Sequence, residues 1–432
     1  MIVRVSTESR DQRKRGGPGG SPPKGGPARR WARLPIPRDW VPALRYCAAV
    51  YLVVRVALFV LAAAAWGLGS EQPSSMPNGQ PLPLTDGWHN IFTDWDKLDA
   101  NWFLYIAEHG YSSQGGTGAF FPGYPMLVRA VGYLCLGHLL LAAYLVSNLA
   151  LLAALVVLYR LTEREYDQAT ARRAVLYLAI FPTAVFLFGL YSESLFLLTA
   201  VAACYLARRG RWGWAGLAGV GAGLTRSMGV VLALALAVEA IHQTIEDRRG
   251  RAAGNADPAG RLGTAALRLG ASLLPLAGTA GYLLFWQLRY HDWYRPISLQ
   301  KIWWQRQLSL PWLTLWHGLS LAVRDGSLGD QAWPTFDFVL VGVGLAVGIW
   351  VAVRARPIYA VYTWGGILLF LSEAWPARPL SSDPRFLVVI FPLAWALARL
   401  GRRPGWHEGV VAVSAASLAV VTWLFLTTMA VF

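Results

Sequence analysis

Long apolar runs dominate the chain from residue 44 onward. Runs of about 16 to 24 residues recur up to the C-terminus, and short polar segments separate them. Runs of this length predict membrane-crossing helices, because about 20 apolar residues span the hydrocarbon core of a bilayer. We therefore predict an all-α, polytopic membrane fold with about eleven helices. The predicted helices are 44–66, 139–159, 172–190, 193–207, 212–225, 227–243, 269–289, 336–353, 357–372, 385–400 and 409–431.

Two further apolar stretches, 119–136 and 307–323, are interrupted by Pro, Gly, Trp or Arg. Each could cross the membrane or lie at its interface. Basic segments are usually retained in the cytoplasm. Four such segments lie on the same side of the membrane as the basic N-terminus if 119–136 does not cross the membrane, and on the opposite side if it does. These segments surround Arg208, Arg248–Arg268, Arg354 and Arg402. We therefore predict that 119–136 lies at the interface.

Composition supports a membrane protein and excludes a nucleic-acid binder. The chain is 55% hydrophobic and 15% charged, with a mean hydropathy of +0.39, whereas soluble proteins carry about 25% charged residues. The net charge of +15 comes from short segments between apolar runs and not from one basic surface. Many of the 21 tryptophans flank those runs, as in interfacial belts. The three cysteines, without metal spacing or obvious pairing, are interpreted as small core residues.

The charge distribution also divides the chain. Residues 1–40 hold ten Lys or Arg with clustered Gly and Pro, which predicts a disordered basic tail in the cytoplasm. Residues 41–432 are predicted to form a single transmembrane domain, its first helix being retained and not cleaved. Within it, 67–138 is predicted to be a large external loop, because 67–118 has six acidic residues against one lysine.

One basic segment, 289–306, is predicted on the outer side against the charge rule. Long loops can cross regardless of charge, or the segment could bind an anionic lipid headgroup. Its basic residues are Arg289, Arg295, Lys301 and Arg306.

The end of the external loop predicts a short amphipathic helix on the membrane surface. Gly110 is expected to end it. Asp96 is expected to be its N-cap and Asp99 a first-turn acid, unless Asp99 has a catalytic role. The apolar stripe consists of Leu98, Trp102, Tyr105, Ile106 and His109.

Two more segments of the loop have alternative interpretations. The triplet Asp94–Asp96 is similar to a metal-binding DxD pattern, but this pattern is short, so no metal site is predicted and a divalent ion is left open. Ala119–Pro125, with two prolines, could line a lipid entrance or form a turn between helices.

Three polar segments lie near predicted outer helix ends. Charged groups at membrane depth are costly and mark functional sites, although near a helix end they can also reach water. All three segments are predicted to lie on the outer side of the membrane, as is Asp99, and this favours an outward-facing active site. The segments are Tyr191–Ser194, Thr225–Ser227 and Asp383–Arg385.

These segments together resemble the PIG-V-like mannosyltransferase family, whose eukaryotic members add the second mannose of GPI anchors. The family usually has Trp before its key Asp, whereas here Leu98 precedes Asp99 and Trp95 precedes Asp96. The uninterrupted run up to Tyr111 favours Asp99, with Asp96 as the rival. The matching segments are Asp99–Tyr111, Phe120–Pro125, Tyr191–Phe196, Thr225–Ser227 with Gly229 and, weakly, Pro384–Leu387.

The resemblance implies a GT-C-type glycosyltransferase with a polyprenyl-phosphate mannose donor and a catalytic Asp in the first external loop. No cofactor is expected. The acceptor could be a glycan, a lipid or a protein hydroxyl, and a single inverting displacement is hypothesised. If the chain is bacterial, the plasma membrane is the expected location.

The hypothesised roles cover nine further residues besides the base, Asp99. Cations are needed for the departing phosphate, and one carboxylate suffices as the base. The proposed donor-phosphate residues are Arg226, Arg385, Arg295 and Lys301. The proposed acceptor or orienting residues are Glu193, Tyr191, Glu108 and His109, and the secondary candidate for the base is Asp96.

Two other functions fit the same helices. A transporter or lipid flippase would also need many helices with buried charge, but no internal repeat is visible. A non-catalytic subunit that retains the fold is the second alternative. Labelled polyprenyl-phosphate mannose would distinguish them, because an enzyme transfers the sugar whereas a flippase only moves the lipid.

Overall fold

The computed structural model describes residues 40–69, 87–250, 258–324 and 332–427, so most of the predicted tail lies outside the described residues. The described chain is almost entirely helical. The first nine helices are α1 (Val41–Gly67), α2 (Asn90–Thr93), α3 (Asp99–His109), α4 (Gly123–Leu134), α5 (Leu139–Glu165), α6 (Gln168–Ala179), α7 (Val185–Phe188), α8 (Glu193–Arg208) and α9 (Trp212–Thr225). The others are α10 (Gly229–Gly250), α11 (Pro258–Tyr290), α12 (Arg295–Trp304), α13 (Pro311–Arg324), α14 (Ala332–Arg354), α15 (Pro357–Leu371), α16 (Asp383–Leu387), α17 (Pro392–Leu400) and α18 (Trp406–Thr427).

Short elements connect these helices near one end of the bundle. Two short strands, β1 (Gln307–Leu308) and β2 (Glu373–Ala374), form an antiparallel ribbon. Single 3₁₀ turns occur at Gly87–His89 and Thr117–Ala119.

Six of the described helices are long and apolar enough to cross a membrane, namely α1, α5, α10, α11, α14 and α18. The protein is therefore an integral membrane protein. Helices α8, α9 and α15 occur where crossing helices were predicted, but they have only 16, 14 and 15 residues. Within the described chain, fewer helices than the predicted eleven are therefore long enough to cross a membrane.

Two predicted helices are broken in the structure, which corrects the sequence prediction. The run 172–190 divides into α6 and α7 around Pro182, and the run 385–400 divides into α16 and α17 before Pro392. Proline lacks an amide donor and clashes with the preceding turn, so it interrupts a helix even inside an apolar run.

The two breaks meet in the interior of the bundle. The Thr183 hydroxyl donates a hydrogen bond to the carbonyl oxygen of Pro384 at 2.8 Å. The Tyr362 hydroxyl donates to the carbonyl oxygen of Val389 at 3.0 Å. Broken helices are tolerated in membrane proteins when neighbouring side chains bind the freed backbone groups. These bonds therefore stabilise the short helix α16 deep in the protein.

Helix α9 packs against α11 almost backbone to backbone. A Cβ atom on Gly223 would lie 2.0 Å from the carbonyl oxygen of Pro275, and one on Gly219 would lie 2.5 Å from the ring of the same proline. Small residues allow such close approach between helices in membranes. This contact fixes the end of α9, and Arg226 follows directly after it.

The stretches 119–136 and 307–323 contain helices of 12 and 14 residues, α4 and α13. Both are shorter than the roughly 20 residues that a crossing helix needs. Their position at the membrane surface stays a prediction.

Four charged residues form an ion-pair cluster at the end of the bundle where α8 finishes, and we call it the Arg208 cluster. Arg208 lies 2.7 Å from Glu165 and 2.8 Å from Glu239, and Arg356 lies 3.8 Å from Glu239. Glu239 is fully buried. The structure thus brings together Arg208 and Arg356, which the charge pattern predicts on one side of the membrane.

Candidate active site

A cavity of about 160 Å³ opens at the opposite end of α8 from the Arg208 cluster. The starts of α3, α8 and α16, the end of α9, and the β1–β2 ribbon surround it. Its charged lining residues are Asp99, Arg226, Arg306, Glu373 and Arg385, and its aromatic lining residues are Phe103, Phe120, Phe121, Trp304, Phe370 and Phe386.

Arg385 is the centre of the charged wall. Its Nη1 atom lies 2.5 Å from Asp99 Oδ2, and its Nε atom lies 2.5 Å from Glu193 Oε1. Arg385 is buried, Glu193 is fully buried, and the Asp99 side chain is 25% exposed. With a guanidinium between two carboxylates, no buried charge of this group lacks a partner of opposite sign, and an unpaired buried ion would be costly. Of these three side chains, Asp99 is the most accessible from the cavity.

Arg226 adds a second guanidinium to the same wall. Its Nη1 atom lies 2.9 Å from Glu193 Oε1, and it donates a hydrogen bond to the Ser192 hydroxyl at 3.2 Å. We call Asp99, Glu193, Arg226 and Arg385 the site cluster. All four were predicted as site residues from separate segments of the sequence, and the structure brings them together.

Tyr191 lies behind the site cluster and not on the cavity wall. Its ring is 4.6 Å from the guanidinium carbon of Arg385, a cation–π distance. Its hydroxyl donates to the carbonyl oxygen of Lys97 at 2.7 Å. Tyr191 therefore positions Arg385 and ties it to the loop before α3, which places it away from an acceptor.

Helix α3 begins at Asp99, three residues later than the predicted N-cap at Asp96. The expectation that Asp96 caps the helix is therefore wrong, because Leu98 precedes α3 with a left-handed φ of 56°. Asp99 is in the first turn, and Gly110 ends the helix with φ 81°, both as predicted. The left-handed backbone at Leu98 turns the chain so that Asp99 reaches the cavity.

The acids before α3 belong to a separate structural contact. Asp94 lies 2.7 Å from Lys97, and both side chains are 1% exposed. Lys97 also donates to the carbonyl oxygen of Leu426 in α18. Burial raises the pKa of Asp96 to about 6, but Asp96 is not among the residues that line the cavity. Asp94 thus anchors the loop to α18 through Lys97.

Four further predicted site residues lie away from both the cavity and the site cluster. Arg295 donates to the carbonyl oxygen of Ser113 at 3.2 Å, and Lys301 is exposed on α12. Glu108 and His109 are exposed at the end of α3, 3.9 Å apart. None of the four is brought next to the site cluster.

Arg306 lines the cavity, although its sequence pattern marks it only as part of a basic segment. Its Nη1 atom lies 3.8 Å from Glu373, across the β1–β2 ribbon. The preceding residue, Gln305, ends α12 in a left-handed conformation with φ 51°. This turn directs Arg306 inward while Lys301 stays outside, and no sequence signal marks such a turn at a glutamine.

Phe386 lies beneath all three arginines of the cavity. Its ring centre is 4.8 Å from the guanidinium carbon of Arg226, 5.4 Å from that of Arg306 and 5.8 Å from that of Arg385. Arg226 and Arg385 have carboxylate partners within 3 Å, whereas the Arg306 pair is longer and more exposed. Arg306 is therefore the cavity arginine with the loosest ion pair.

Asp383 is a buried acid next to this wall. Neither of its oxygens has a hydrogen-bond partner among the described residues. Burial raises its pKa well above the ordinary value, and the nearby charge of Arg306 partly opposes that shift.

Part of the chain is similar to known mannosyltransferases. The family model of the mannosyltransferases (PIG-V) matches residues 55–249. This confirms the resemblance to the PIG-V mannosyltransferases. GPI alpha-1,6-mannosyltransferase 2 of Mus musculus is 35% identical over 170 residues, which cover 37% of this chain. The match spans about a third of that relative's length, 34%.

The PIG-V match has a clear limit within the site. It includes Asp99, Glu193 and Arg226, whereas Arg306 and Arg385 lie beyond residue 249. Three members of the site cluster thus come from the matched segment, and the fourth comes from the far end of the chain.

Solved structures match most of the chain, but at lower sequence identity than the mouse protein. ArnT from Cupriavidus metallidurans, bound to undecaprenyl phosphate, has a TM-score of 0.48 at 15% identity, covering 92% of this chain and 77% of that one. The oligosaccharyltransferase of Archaeoglobus fulgidus, in complex with Zn and sulfate, has a TM-score of 0.42 at 13% identity, covering 88% and 53%.

Proposed function

We propose that this protein is a membrane mannosyltransferase that takes mannose from a polyprenyl-phosphate carrier. The observation that carries the proposal is the convergence of a partly exposed carboxylate, Asp99, and three arginines on one cavity. The PIG-V match over residues 55–249 supports the sugar and the reaction type.

The proposed reaction is a single displacement at the anomeric carbon. Asp99 accepts the proton of the acceptor hydroxyl, and the acceptor oxygen forms a bond to C1 of mannose. The bond between C1 and the phosphate oxygen breaks with its electron pair, so polyprenyl phosphate leaves as an anion. The products are an inverted mannoside and polyprenyl phosphate. The hydrogen bond from Arg385 is accepted by Oδ2 of Asp99, and Oδ1 is proposed to take the acceptor proton.

The leaving phosphate requires positive charge and no general acid. Arg385 and Arg226 are already engaged by carboxylates, so Arg306 is proposed as the main phosphate ligand, with Arg226 beside it. This replaces Arg295 and Lys301, which lie outside the cavity. Because arginines supply the charge, transfer is proposed to proceed without a metal ion, and full activity in excess EDTA would be the expected result.

A second cavity of about 210 Å³ is proposed to hold the acceptor. It shares Trp304, Arg306 and Ser382 with the first cavity and adds Trp303, Gln305, Ser381 and Trp375. The indole N–H of Trp375 donates to Gln305 Oε1 at 3.3 Å. Indole faces beside hydroxyl and amide groups suit a sugar ring, which has an apolar C–H face and a polar edge.

The acceptor cavity connects to Asp99 through α3. Trp102, one turn after Asp99, packs against Trp304 with ring centres 5.6 Å apart and against Trp303 at 5.7 Å. Replacing Trp375 by Ala is expected to raise KM for octyl α-mannoside about tenfold. Trp316→Ala, an exposed tryptophan on α13, is the matched control. Equal KM values in both variants would remove this assignment.

The whole proposal is tested with labelled polyprenyl-phosphate mannose and the protein in sealed vesicles. Transfer of label to octyl α-mannoside by the wild type, and its loss in Asp99→Asn, is the expected result. Movement of the intact lipid between leaflets without transfer would show a flippase instead. The site is proposed to face the outer side, and a cysteine at exposed Ser113 should react with an impermeant reagent added outside intact cells.

A further inference from the structure

A separate basic cavity of about 350 Å³ lies at the opposite end of the bundle from the candidate active site. One face of α6 forms its floor, Tyr46 of α1 forms one wall and His407 of α18 forms the other. The α6 residues that line it are Gln168, Ala169, Arg172, Arg173 and Leu176.

Two arginines give this cavity its charge, and neither has an ion pair among the described residues. The Nη1 atom of Arg173 is buried without a hydrogen-bond partner. The guanidinium carbon of Arg172 lies 5.7 Å from the ring centre of Tyr46, whose hydroxyl donates to the Arg172 carbonyl at 3.0 Å. The nearby acid Asp167 is already held by Arg402 at 2.8 Å. The cavity therefore keeps an excess of positive charge.

The positive charge of the cavity comes from side chains and not from the backbone. Helix α6 starts at Gln168, and the side chain of Asp167 accepts the amide hydrogen of Thr170. This carboxylate caps the first turn and offsets the partial positive charge of its amide groups. Arg172 and Arg173, on the same helix face, therefore supply the charge that an anion would meet.

The position of the cavity matches a lipid headgroup more closely than a soluble anion. Its walls are the ends of α1 and α18, two of the helices long and apolar enough to cross a membrane. Only 28% of the apolar window of each is buried inside the protein, so both face lipid. Basic pockets between membrane helices bind anionic headgroups.

We propose that this cavity binds the phosphate of an anionic membrane phospholipid, through Arg172 and Arg173 of α6. Tyr46 and Leu176 then contact the glycerol and upper acyl region. The site is independent of the transfer reaction, and its failure would leave the proposed function untouched.

The test compares unfolding temperatures of the full chain in nanodiscs of phosphatidylcholine with and without phosphatidylglycerol. We expect phosphatidylglycerol to raise the unfolding temperature of the wild type by several degrees. The double variant Arg172→Gln, Arg173→Gln should lose most of that rise. The matched control is Arg289→Gln with Lys301→Gln, which removes the same charge at the other end, and it should retain the rise.

Two results would overturn the proposal. One is an equal response to phosphatidylglycerol in the double variant and the control. The other is an equal stabilisation by inorganic phosphate in phosphatidylcholine nanodiscs, which would assign the cavity to a soluble anion. Native mass spectrometry gives a second readout, because the double variant should retain one phosphatidylglycerol fewer than the control.

Discussion

The two ends of α8 carry two ion-pair clusters of similar chemistry but different surroundings. Glu193 starts the helix in the site cluster, and Arg208 ends it in the Arg208 cluster, about 24 Å away along a 16-residue helix. Both contain two acids and two arginines. Asp99 is 25% exposed and lines a cavity, whereas Glu165 and Glu239 are 8% and 0% exposed and line none of the cavities described above.

Buried charge alone therefore does not distinguish the proposed reaction site from the Arg208 cluster. In both clusters each buried charge has a partner, as the cost of burying an isolated ion requires. The site cluster differs because one carboxylate reaches solvent-accessible space and because Arg306 adds charge from outside the cluster. The comparison therefore predicts losses of catalysis at one end of α8 and losses of stability at the other.

The largest effect is expected at Asp99. Asp99→Asn keeps the shape of the side chain but cannot accept the acceptor proton, so the transfer rate should fall by about 10² to 10⁴. Single-turnover transfer from labelled donor measures it. Asp96→Asn is the matched control and should keep the rate. Loss of transfer in Asp96→Asn with normal transfer in Asp99→Asn would assign the base to Asp96.

At the other end of α8, Arg208→Gln should lower stability and spare the chemistry. It leaves Glu165 and the buried Glu239 with weaker partners, and breaking a buried pair costs about 3 to 5 kcal/mol. The unfolding temperature in detergent measures this loss. Transfer per folded molecule should equal that of the wild type. A stable Arg208→Gln protein with reduced transfer would contradict the division between the clusters.

A smaller effect is expected at Arg306. Removing one charge-assisted contact to phosphate costs about 1.5 to 3 kcal/mol, so Arg306→Gln should weaken donor affinity about 10- to 100-fold. Equilibrium binding of polyprenyl phosphate measures it, with Lys301→Gln as the control that should bind normally. Equal affinities in the two variants would contradict the assignment, because the cavity arginine would then bind the donor phosphate no better than the exposed lysine.

The smallest effect concerns pH and Asp96. Burial raises its pKa to about 6, above the value of about 3.9 in an unfolded chain. The native state therefore loses stability as the pH rises from about 4 to about 6, by at most about 2 to 3 kcal/mol. Asp96→Asn should remove this decline in melting curves recorded across that range. If stability changed with pH in the same way in both proteins, the pKa of Asp96 would not be raised by burial.

Sequence reasoning found the site cluster because each member combines a charge with a predicted helix end. Asp99, Glu193, Arg226 and Arg385 all follow this rule, and the structure brings them together. Arg306 was not singled out, because the left-handed turn at Gln305 that directs it inward depends on tertiary contacts.

The long helices of the fold were predictable from the sequence, whereas the breaks within two apolar runs were not. Long apolar runs predicted the helices α1, α5, α10, α11, α14 and α18, which are long enough to cross the membrane. The runs 172–190 and 385–400 looked continuous by hydropathy, although Pro182 and Pro392 interrupt them. Hydropathy is averaged over a window of residues, so it does not show that one proline lacks an amide donor. These breaks were therefore visible only in the structure.

The pairing of Asp99 with Arg385 joins residues 286 positions apart in the chain, and this separation affects how the protein is made. A ribosome supplies the N-terminal part first, so Asp99 and Glu193 enter the membrane well before Arg385 is synthesised. During that interval Asp99 lacks its partner, and only Arg226 is available to Glu193. The site cluster therefore assembles in one late step of biosynthesis, and a nascent chain cannot complete it until Arg385 has been inserted.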